Sequence, residues 1–406
     1  MEPFSLNQII DKKDIDRLPP LVDLGPPLSN TELERYSRHI LMPQMGQEGQ
    51  QRLRNARVLV IGAGGLGSPV LMYLAAAGIG TLGIIDDDTV ELSNLQRQVI
   101  HGVSDVGRSK LESARASIAE INPGVEVVLH PVRLDSNNAL ELFADYDVIL
   151  DGADNFSTRY LVNDAVAILG KPYVWGSILR FDGQVSVFWD KHGPNYRDLY
   201  PEPPAPGSVP SCAEGGVFGM LCASIGAMMV TEAVKLITGV GETLLGRLLI
   251  LDALTSRWRE MSITKDPEAD RITELINYET FCGWPSPEGQ NIAADATISV
   301  EELRNRLDGR QSGRDDFVLL DVREPVEFEI ARIEGSVLVP LAGIKDGSAL
   351  AGIPRGVPLV LHCKSGVRSG QALEALAAAG YTDVVHLDGG IDAWQRAGGL
   401  GQLPLT

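Results

Sequence analysis

Residues 58–67 read VLVIGAGGLG, an apolar run that leads into a glycine-rich turn and then into a segment of helical character. The run has the aliphatic and β-branched composition of a buried strand. The glycines Gly62, Gly64, Gly65 and Gly67 let the backbone approach a phosphate. The N-terminus of the following helix adds amide groups and a favourable dipole. This stretch predicts a strand, a nucleotide-binding turn and a helix.

Strand-like and helix-like segments alternate around this turn. TELERYSRHILM begins with Thr31 and Glu34 at capping-box spacing, which predicts one helix from Thr31. The strands TLGIID, VEVVL and DVILDG follow, with helices between them, and the pattern loosens from Tyr173 into YVWGSI and QVSVFW. Strands that alternate with helices predict an α/β fold whose parallel sheet carries helices on both faces.

A second strand and helix series begins after a small, polar, proline-containing stretch, GWPSPEGQNIAADA. Such a composition is typical of a linker. We therefore divide the chain into an N-terminal extension (1–29), a first α/β domain (30–282), a linker (283–296) and a small second α/β domain (297–406).

Composition restricts the classes of partner. The 406 residues include 35 basic and 54 acidic side chains, a net charge of −19. A surface this acidic repels nucleic-acid phosphates and anionic lipid, so we expect no direct nucleic-acid binding. The uncharged runs 58–85 and 215–231 read as core segments and not as membrane spans. The N-terminus lacks a signal-peptide pattern, which predicts a cytoplasmic location.

Charged and polar groups suited to a nucleotide follow the predicted strands. Asp86 ends the second strand, where a carboxylate can bind ribose hydroxyls. Arg97 and Lys110 can neutralise phosphates, Asn94 can orient them, and Asp154 can give Mg²⁺ an oxygen ligand. Each residue alone has a simpler explanation as a solvated side chain or a helix cap. Together they follow strand C-termini, where open α/β sheets bind ligands, so we expect one shared crevice.

The motif set from 30 to 282 resembles the adenylating proteins of the MoeB/ThiF family, relatives of ubiquitin-activating enzymes. The resemblance is carried by GAGGLG, by the DDDTVELSNLQRQ segment, by Lys110, by Asp154-Asn155 and by SCAEGGV from Ser211, in family order. It implies a Rossmann-like fold that binds ATP and Mg²⁺. It also implies a homodimer in which Arg38 reaches the neighbouring subunit's ATP.

The family's substrate is the C-terminal Gly-Gly carboxylate of a ubiquitin-like sulfur-carrier protein (MoaD/ThiS/CysO type), which is converted to an acyl-adenylate. The resemblance makes Asp154 the metal ligand. The candidate nucleotide-binding residues are Gly62, Gly64, Gly65, Gly67, Asp86, Asp88, Ser93, Asn94, Arg97, Lys110, Asp154 and Asn155.

One feature departs from many members of that family, which carry two C-x-x-C pairs that bind zinc. Here the first location reads GPNYRD from Gly193, and the second, near Asp266, has no cysteine. We therefore expect no zinc. Tyr196, Leu199 and Tyr200 are candidates to hold this corner by apolar packing.

Cys363 lies in HCKSGVRS, directly after the strand PLVL and before a helix. Helix-terminal amides and the cations Lys364 and Arg368 favour a thiolate there and would stabilise a persulfide. The plainer alternative is a buried cysteine at a strand end. With LDVREP and LDGGIDAW, residues 297–400 resemble single-domain rhodaneses. The spacing Cys-x4-Arg is shorter than the Cys-x5-Arg of rhodanese-like phosphatases, which favours sulfur transfer.

The whole chain thus resembles fused adenylyltransferase/sulfurtransferases of the MoeZ/MoeBR type. These would use a Cys363 persulfide, loaded from thiosulfate or a cysteine desulfurase, to make a carrier thiocarboxylate for molybdopterin, cysteine or thiamine biosynthesis. Cys212 is a second candidate nucleophile, because some family members form a covalent carrier intermediate at this position. Cys222 is predicted to be a core residue.

Two other functions are open at this point. The first activates a ubiquitin-like modifier through a Cys212 thioester, for protein conjugation or tRNA thiolation, with the second domain as a binding module. The second is an NAD-dependent oxidoreductase, which has no use for Arg97 and Lys110.

Overall fold

A computed structural model describes residues 18–204, 215–283 and 296–399. The chain divides into two compact units, Met1–Trp284 and Pro285–Thr406. Residues 284–295 of the predicted linker, and 1–17 of the predicted extension, lie outside the described residues.

The first unit contains an eight-stranded sheet in the order β3-β2-β1-β4-β5-β6-β7-β8. Its strands are β1 Arg57–Ile61, β2 Thr81–Ile85, β3 Glu126–His130, β4 Val148–Asp151, β5 Tyr173–Leu179, β6 Asp182–Phe188, β7 Arg247–Asp252 and β8 Arg257–Ser262. The strands from β3 to β5 pair in parallel, as predicted. The other three pairs are antiparallel. The loosened pattern from Tyr173 therefore marks a change of strand direction.

Helices cover this sheet. They are α1 Asn30–Arg35, α2 Ser37–Ile40, α3 Gly46–Asn55, α4 Gly67–Ala77, α5 Lys110–Ile121, α6 Ala139–Ala144, α7 Phe156–Leu169, α8 Tyr196–Leu199, α9 Gly219–Thr238 and α10 Tyr278–Phe281. Alternate residues of β1 point to opposite faces: Val58 and Val60 join one buried cluster, and Leu59 and Ile61 join the other. This two-sided burial explains the continuous apolar run.

The helix predicted from Thr31 was wrong in its start and its continuity. The N-cap is Ser29, whose hydroxyl accepts from the Glu32 amide while the Glu32 carboxylate accepts from the Ser29 amide. This capping box lies two residues earlier than the predicted one. Tyr36 then separates α1 from α2 with its ring buried.

Among the described residues, α9 alone has the length and hydropathy of a membrane span, and about half of that window is buried. Its buried side chains, including Leu221, Ile225 and Met229, belong to the core of the first unit. Glu232 is fully buried on the same helix, where it accepts a hydrogen bond from the Leu244 amide at 2.7 Å. The helix is therefore a core element, as the sequence predicts.

An aromatic cluster packs around the segment from Gly193 to Asp198, where we expect no zinc site. Tyr196 is 1% exposed, with its ring centroid 5.2 Å from that of Tyr160 and 5.4 Å from that of Trp175. Leu199 and Tyr200 pack against this cluster, which confirms the predicted packing.

Hydrogen bonds also join the two regions where the resemblance would place zinc-binding cysteine pairs, near Gly193 and near Asp266. The Lys265 ammonium donates to Asp190 at 2.8 Å, and the Asp266 amide donates to Asp198 at 2.8 Å. Protein groups therefore connect the two segments directly.

The second unit is a five-stranded parallel sheet in the order β11-β10-β12-β13-β9. Its strands are β9 Thr297–Ile298, β10 Val318–Asp321, β11 Ser336–Leu338, β12 Leu359–His362 and β13 Val384–Leu387. Its helices are α11 Val300–Gln311, α12 Pro325–Ile330, α13 Leu341–Lys345, α14 Val367–Ala378 and α15 Gly390–Arg396. Two buried clusters fill this unit, and Cys363 follows the central strand β12.

Candidate functional site

The sheet register of the first unit brings three predicted site segments together. Ile61, the last residue of β1, pairs with Ile85 at the end of β2 and with Asp151 at the end of β4. The Gly62 amide continues the ladder by donating to the Ile85 carbonyl at 2.8 Å. The glycine-rich turn, the Asp86 segment and the Asp154 segment therefore leave one edge of the sheet side by side, as the alternating pattern predicts.

The glycine turn has its shape because two positions exclude a side chain. Gly62 has φ +87°, in the left-handed region that favours glycine. A methyl group on Gly67 would lie 1.8 Å from the Gly62 carbonyl oxygen, so α4 begins in direct contact with the turn. This close approach brings the amides of the first helical turn to the edge of the sheet.

The Ala63 peptide is held from both sides. Its amide donates to Asp86 at 2.8 Å, and its carbonyl oxygen lies 2.9 Å from Nε2 of His101. Nδ1 of His101 lies 2.8 Å from the Ser113 hydroxyl. Burial lowers the pKa of His101 and favours the neutral ring, in which Nε2–H donates to the carbonyl. Sequence reasoning missed His101, because its partner lies 38 residues away and no local spacing marks it.

The Asp86 carboxylate organises the following segment. Besides the Ala63 amide, it accepts a hydrogen bond from the Asp88 amide at 2.9 Å. Burial raises its pKa, while Lys110 and the two amide donors oppose that shift. The residue predicted to bind ribose is therefore fixed by the turn that would hold the phosphates.

The two predicted cations lie beside this turn. A methyl group on Gly65 would lie 3.6 Å from Cδ of Arg97, which places the Arg97 stem against the glycine. The Arg97 guanidinium donates to the Ser93 carbonyl at 3.1 Å. The Lys110 side chain is 8% exposed, and its ammonium pairs with Asp88 at 2.7 Å. The ammonium has three donors, so Lys110 can bind a phosphate oxygen in addition to Asp88.

Asn94 is buried, and its side-chain oxygen accepts from the Glu91 amide at 3.1 Å. Asn155 caps α7 by accepting from the Thr158 amide at 2.8 Å. The side-chain oxygens of both predicted ligand-binding residues therefore also order the local backbone.

Asp154 is exposed at the end of β4, next to the fully buried Asp151. Asp151 accepts from the Tyr173 hydroxyl at 2.6 Å and from the Ala153 amide at 2.7 Å, which orders the turn that carries Asp154. Burial raises the pKa of Asp151. Among the described residues, the group of three carboxylates close enough to share a cation is Asp86, Asp87 and Asp88, and it does not include Asp154.

The donor set at this edge nevertheless fits Mg-ATP. Mg²⁺ in nucleotide sites needs one or two carboxylates, because phosphates and waters complete its coordination. This edge of the sheet provides such carboxylates beside a glycine turn and two cations.

The other predicted residues and the remaining cysteines of the first unit lie as follows. Arg38 is exposed on α2, and Cys212 lies outside the described residues. Cys222 is 1% exposed in the core, as predicted, and a methyl group on Gly65 would lie 3.0 Å from its sulfur. Cys282 is also buried, and burial raises its pKa to about 11.

The second candidate site is the loop that follows β12. Cys363 is 1% exposed, and its sulfur accepts from the Gly366 amide at 3.1 Å. The Ser369 hydroxyl lies 3.6 Å from the same sulfur. Gly366 has φ +103° and caps α14, so the loop curls around the sulfur at the start of that helix. The cysteine is thus both buried and surrounded by hydrogen-bond donors.

The first residues of helix α15 donate hydrogen bonds to this loop. The Ile391 amide donates to the Cys363 carbonyl at 2.9 Å, and the Asp392 amide donates to the Lys364 carbonyl at 3.1 Å. A methyl group on Gly390 would lie 2.4 Å from the Lys364 carbonyl oxygen. The Gly389-Gly390 pair in LDGGIDAW therefore permits close backbone contact beneath the nucleophile.

One of the two cations expected beside Cys363 is paired with a carboxylate. The Arg368 guanidinium forms a fork with the Glu327 carboxylate, at 2.7 and 2.8 Å. Burial alone would raise the pKa of Glu327, but Arg368, the Glu324 amide and Arg323 together lower it. The charge of Arg368 is therefore compensated within the unit. Sequence reasoning missed Glu327, which lies 41 residues from its partner.

A second ion pair lies next to the nucleophile. Asp321 and Arg323 are buried and joined by several hydrogen bonds, one of them 2.8 Å long. Nε2 of His362 lies 3.6 Å from Asp321. Burial lowers the pKa of His362 to about 4 although Asp321 opposes the shift, so its ring is neutral at pH 7.

The comparisons with known proteins agree with this architecture. The model of the ThiF family matches residues 36–271, and that of the rhodanese-like domain matches residues 299–397. The chain belongs to the ThiF family and carries a C-terminal rhodanese-like domain.

Similarity extends over nearly the whole chain. A probable adenylyltransferase/sulfurtransferase MoeZ of Mycobacterium tuberculosis is 59% identical over 383 residues, covering 93% of this chain and 97% of the relative. The adenylyltransferase and sulfurtransferase MOCS3 of Drosophila ananassae is 42% identical over 387 residues, covering 90% and 84%. The chain is therefore an enzyme of the adenylyltransferase/sulfurtransferase class, which confirms the predicted class and both predicted fold types.

Solved structures support the fold of the first unit. The crystal structure of E. coli MccB with ATP has a TM-score of 0.53 at 20% identity, covering 60% of this chain and 74% of that chain. The structure of PaaA has a TM-score of 0.52 at 24% identity, covering 64% and 79%. At these identities the likeness shows the fold alone.

Proposed function

We propose that this enzyme adenylates the C-terminal Gly-Gly carboxylate of a ubiquitin-like sulfur-carrier protein and then delivers sulfur from a Cys363 persulfide. The observation that carries the proposal is the pairing, in one chain, of a nucleotide crevice at the ends of β1, β2 and β4 with a cysteine loop lined by hydrogen-bond donors. Relatives named for both activities support it over the full length.

In the first step a carrier carboxylate oxygen attacks the α-phosphorus of ATP, and pyrophosphate leaves. The amides of the glycine turn, Arg97 and Lys110 would hold the triphosphate, and Asp86 would bind the ribose. Asp154 would hold Mg²⁺. The bound ion neutralises phosphate charge. The main contribution of the protein is to position the phosphates and to stabilise charge that develops in the transition state.

The second step is sulfur transfer. The Cys363 thiolate attacks the outer sulfur of a donor, thiosulfate or a persulfide, and sulfite or a thiolate leaves. The terminal sulfur of the resulting persulfide attacks the carbonyl carbon of the acyl-adenylate, and AMP leaves. A second thiolate attacks the Cys363 sulfur of the acyl disulfide, so that the carrier departs as a thiocarboxylate. The resulting disulfide at Cys363 is reduced by a dithiol.

Several features of the assembly belong to the same proposal. We place the limits of the two catalytic domains at 30–282 and 297–406. The enzyme acts as a cytoplasmic homodimer in which Arg38 reaches the partner's ATP. Cys212 is the second candidate nucleophile, for a covalent intermediate with the carrier. The carrier belongs to molybdopterin, cysteine or thiamine biosynthesis.

ATP–pyrophosphate exchange with a panel of Gly-Gly-ended carriers tests the first step. We expect exchange that requires a carrier and is lost in Asp154→Ala. The matched control is Asp270→Ala, which removes another exposed aspartate of the first unit and should exchange normally. Absence of exchange with every carrier would refute the adenylation proposal.

Mass spectrometry of the carrier tests the second step. Wild-type enzyme supplied with ATP and a sulfur donor should convert the carboxylate to a thiocarboxylate. Cys363→Ala should retain pyrophosphate exchange but produce no thiocarboxylate. If Cys363→Ala still produced it, the rhodanese-like unit would be a binding module.

A further inference from the structure

Three side chains form a chain of polar contacts that ends at the sulfur of Cys363. The Ser369 hydroxyl lies 3.6 Å from that sulfur, and its oxygen lies 3.3 Å from Nδ1 of His386. Nε2 of His386 lies 3.4 Å from the hydroxyl of the half-buried Thr297. Ser369 is fully buried and His386 is 6% exposed, so the contacts of Ser369 with the sulfur and with His386 are shielded from water.

We propose that Ser369 and His386 form a positioning pair that directs a hydroxyl hydrogen bond at the anionic sulfur of Cys363. This role rests on the proposed function, in which that sulfur must be a thiolate twice: when it attacks the donor and when it is regenerated. Ser369 acts on the sulfur directly, and His386 acts through Ser369.

The number of protons available to these groups explains how His386 affects the direction of the Ser369 hydroxyl. A serine hydroxyl has one proton to donate, and Ser369 also has the Gly366 carbonyl oxygen within reach at 2.9 Å. If the Thr297 hydroxyl donates to Nε2 of His386, then Nδ1 carries the ring proton and donates to the Ser369 oxygen. The Ser369 proton is then not drawn to the histidine.

The sulfur's charge decides where that proton goes. A neutral thiol competes poorly with the Gly366 carbonyl, whereas hydrogen bonds to charged acceptors are about twice as strong as neutral ones. The hydroxyl therefore turns to the sulfur when the thiolate forms. The Gly366 amide, 3.1 Å from the sulfur, donates to it in both states.

The rate at which iodoacetamide alkylates Cys363 in the full-length protein tests the pair, with the modified peptide followed by mass spectrometry. Ser369→Ala should slow the reaction about tenfold, the loss typical of one hydrogen bond to a charged group. His386→Leu should slow it by a smaller factor, because Ser369 keeps its hydroxyl but loses the contact that orients it. The double variant should be no slower than Ser369→Ala, because His386 acts only through Ser369.

Two further variants separate positioning from general structure. His386→Asn keeps an N–H donor near the position of Nδ1 and should recover most of the rate. Ser312→Ala removes another hydroxyl of this unit that donates to a helix carbonyl, at 2.9 Å, and should leave the rate unchanged.

The outcomes that overturn the proposal are a wild-type rate in Ser369→Ala, additive losses in the double variant, or equal rates in His386→Leu and His386→Asn. If Ser369→Ala fails to fold, the comparison of His386→Leu with His386→Asn tests the proposal. Alkylation does not depend on sulfur transfer. Failure of the wild-type enzyme to take up sulfur from thiosulfate would count against the proposed function and leave this test intact.

Discussion

Acidification should destabilise the second unit more than its carboxylates alone explain, because the His362 ring is fully buried. Burial lowers its pKa to about 4 from an ordinary value of 6.5, although Asp321 and a backbone hydrogen bond with Cys363 oppose that shift. Below pH 6.5 the His362 ring therefore binds a proton in the unfolded chain, whereas in the folded chain it stays largely neutral until the pH nears 4. The contribution to stability is complete above pH 6.5 and is lost progressively as the pH falls towards 4.

The size of the effect follows from these two values. Between pH 7 and pH 5 the free energy of unfolding should fall by about 2 kcal/mol from His362 alone, and most carboxylates titrate below this window. Burial lowers the pKa of His386 as well, so this histidine adds a loss of the same sign.

The perturbation is His362→Leu, which removes the titrating group while leaving Asp321 paired with Arg323. Hydrogen exchange of peptides from β10 and β12, measured at pH 7 and pH 5 and corrected for intrinsic rates, reports the local free energy of opening. The variant should lose about 2 kcal/mol less than wild type over this interval. His192→Gln, at an exposed position in the other unit, should behave as wild type. Equal losses in wild type and His362→Leu would refute the reasoning.

Three variants and one chelation experiment give further predictions. Gly67→Ala should abolish pyrophosphate exchange, because its methyl group would lie 1.8 Å from a carbonyl oxygen of the same turn, whereas Gly102→Ala meets nothing nearer than 3.7 Å and should retain it. Glu327→Gln should lower the unfolding free energy of the second unit by about 1–3 kcal/mol in denaturant, since it leaves Arg368 without its charged partner; no change would show that the pair contributes nothing. Tyr196→Ala should lower the unfolding free energy of the first unit by about 3–5 kcal/mol in denaturant, and Tyr196→Phe, which keeps the ring, should lower it much less. Equal losses would contradict a role for the ring. Dialysis against EDTA should leave the thermal midpoint of the first unit unchanged, and a lowered midpoint would contradict the expectation that it needs no zinc.

Patterns within contiguous residues predicted the elements well. The run from Val58 predicted β1, the glycine turn and α4, because a strand buried on both faces must be apolar throughout. The Cys363 loop was predicted in the same way, from a strand, a glycine and a helix in succession. The rule that ligands bind at strand C-termini then placed the Asp86 and Asp154 segments on one edge.

Local patterns failed where the sequence is compatible with two arrangements. Ser29 and Thr31 each precede a glutamate by three residues, and the structure uses Ser29. The strands after Tyr173 alternate in direction because a hairpin joins β5 to β6, and a short apolar strand does not reveal the direction of its neighbour.

The sequence by itself determined the class of the enzyme, the two fold types and the identity of the candidate groups, because each depends on residues a few positions apart. The tertiary structure alone decided how those groups are held: His101 on the Ala63 carbonyl, Glu327 on Arg368 and His386 on Ser369. The partners in these pairs lie 17 to 41 residues apart in the chain. Their contacts depend on which strands are neighbours in the sheet, and strand order is a property of the packed core that no local pattern contains.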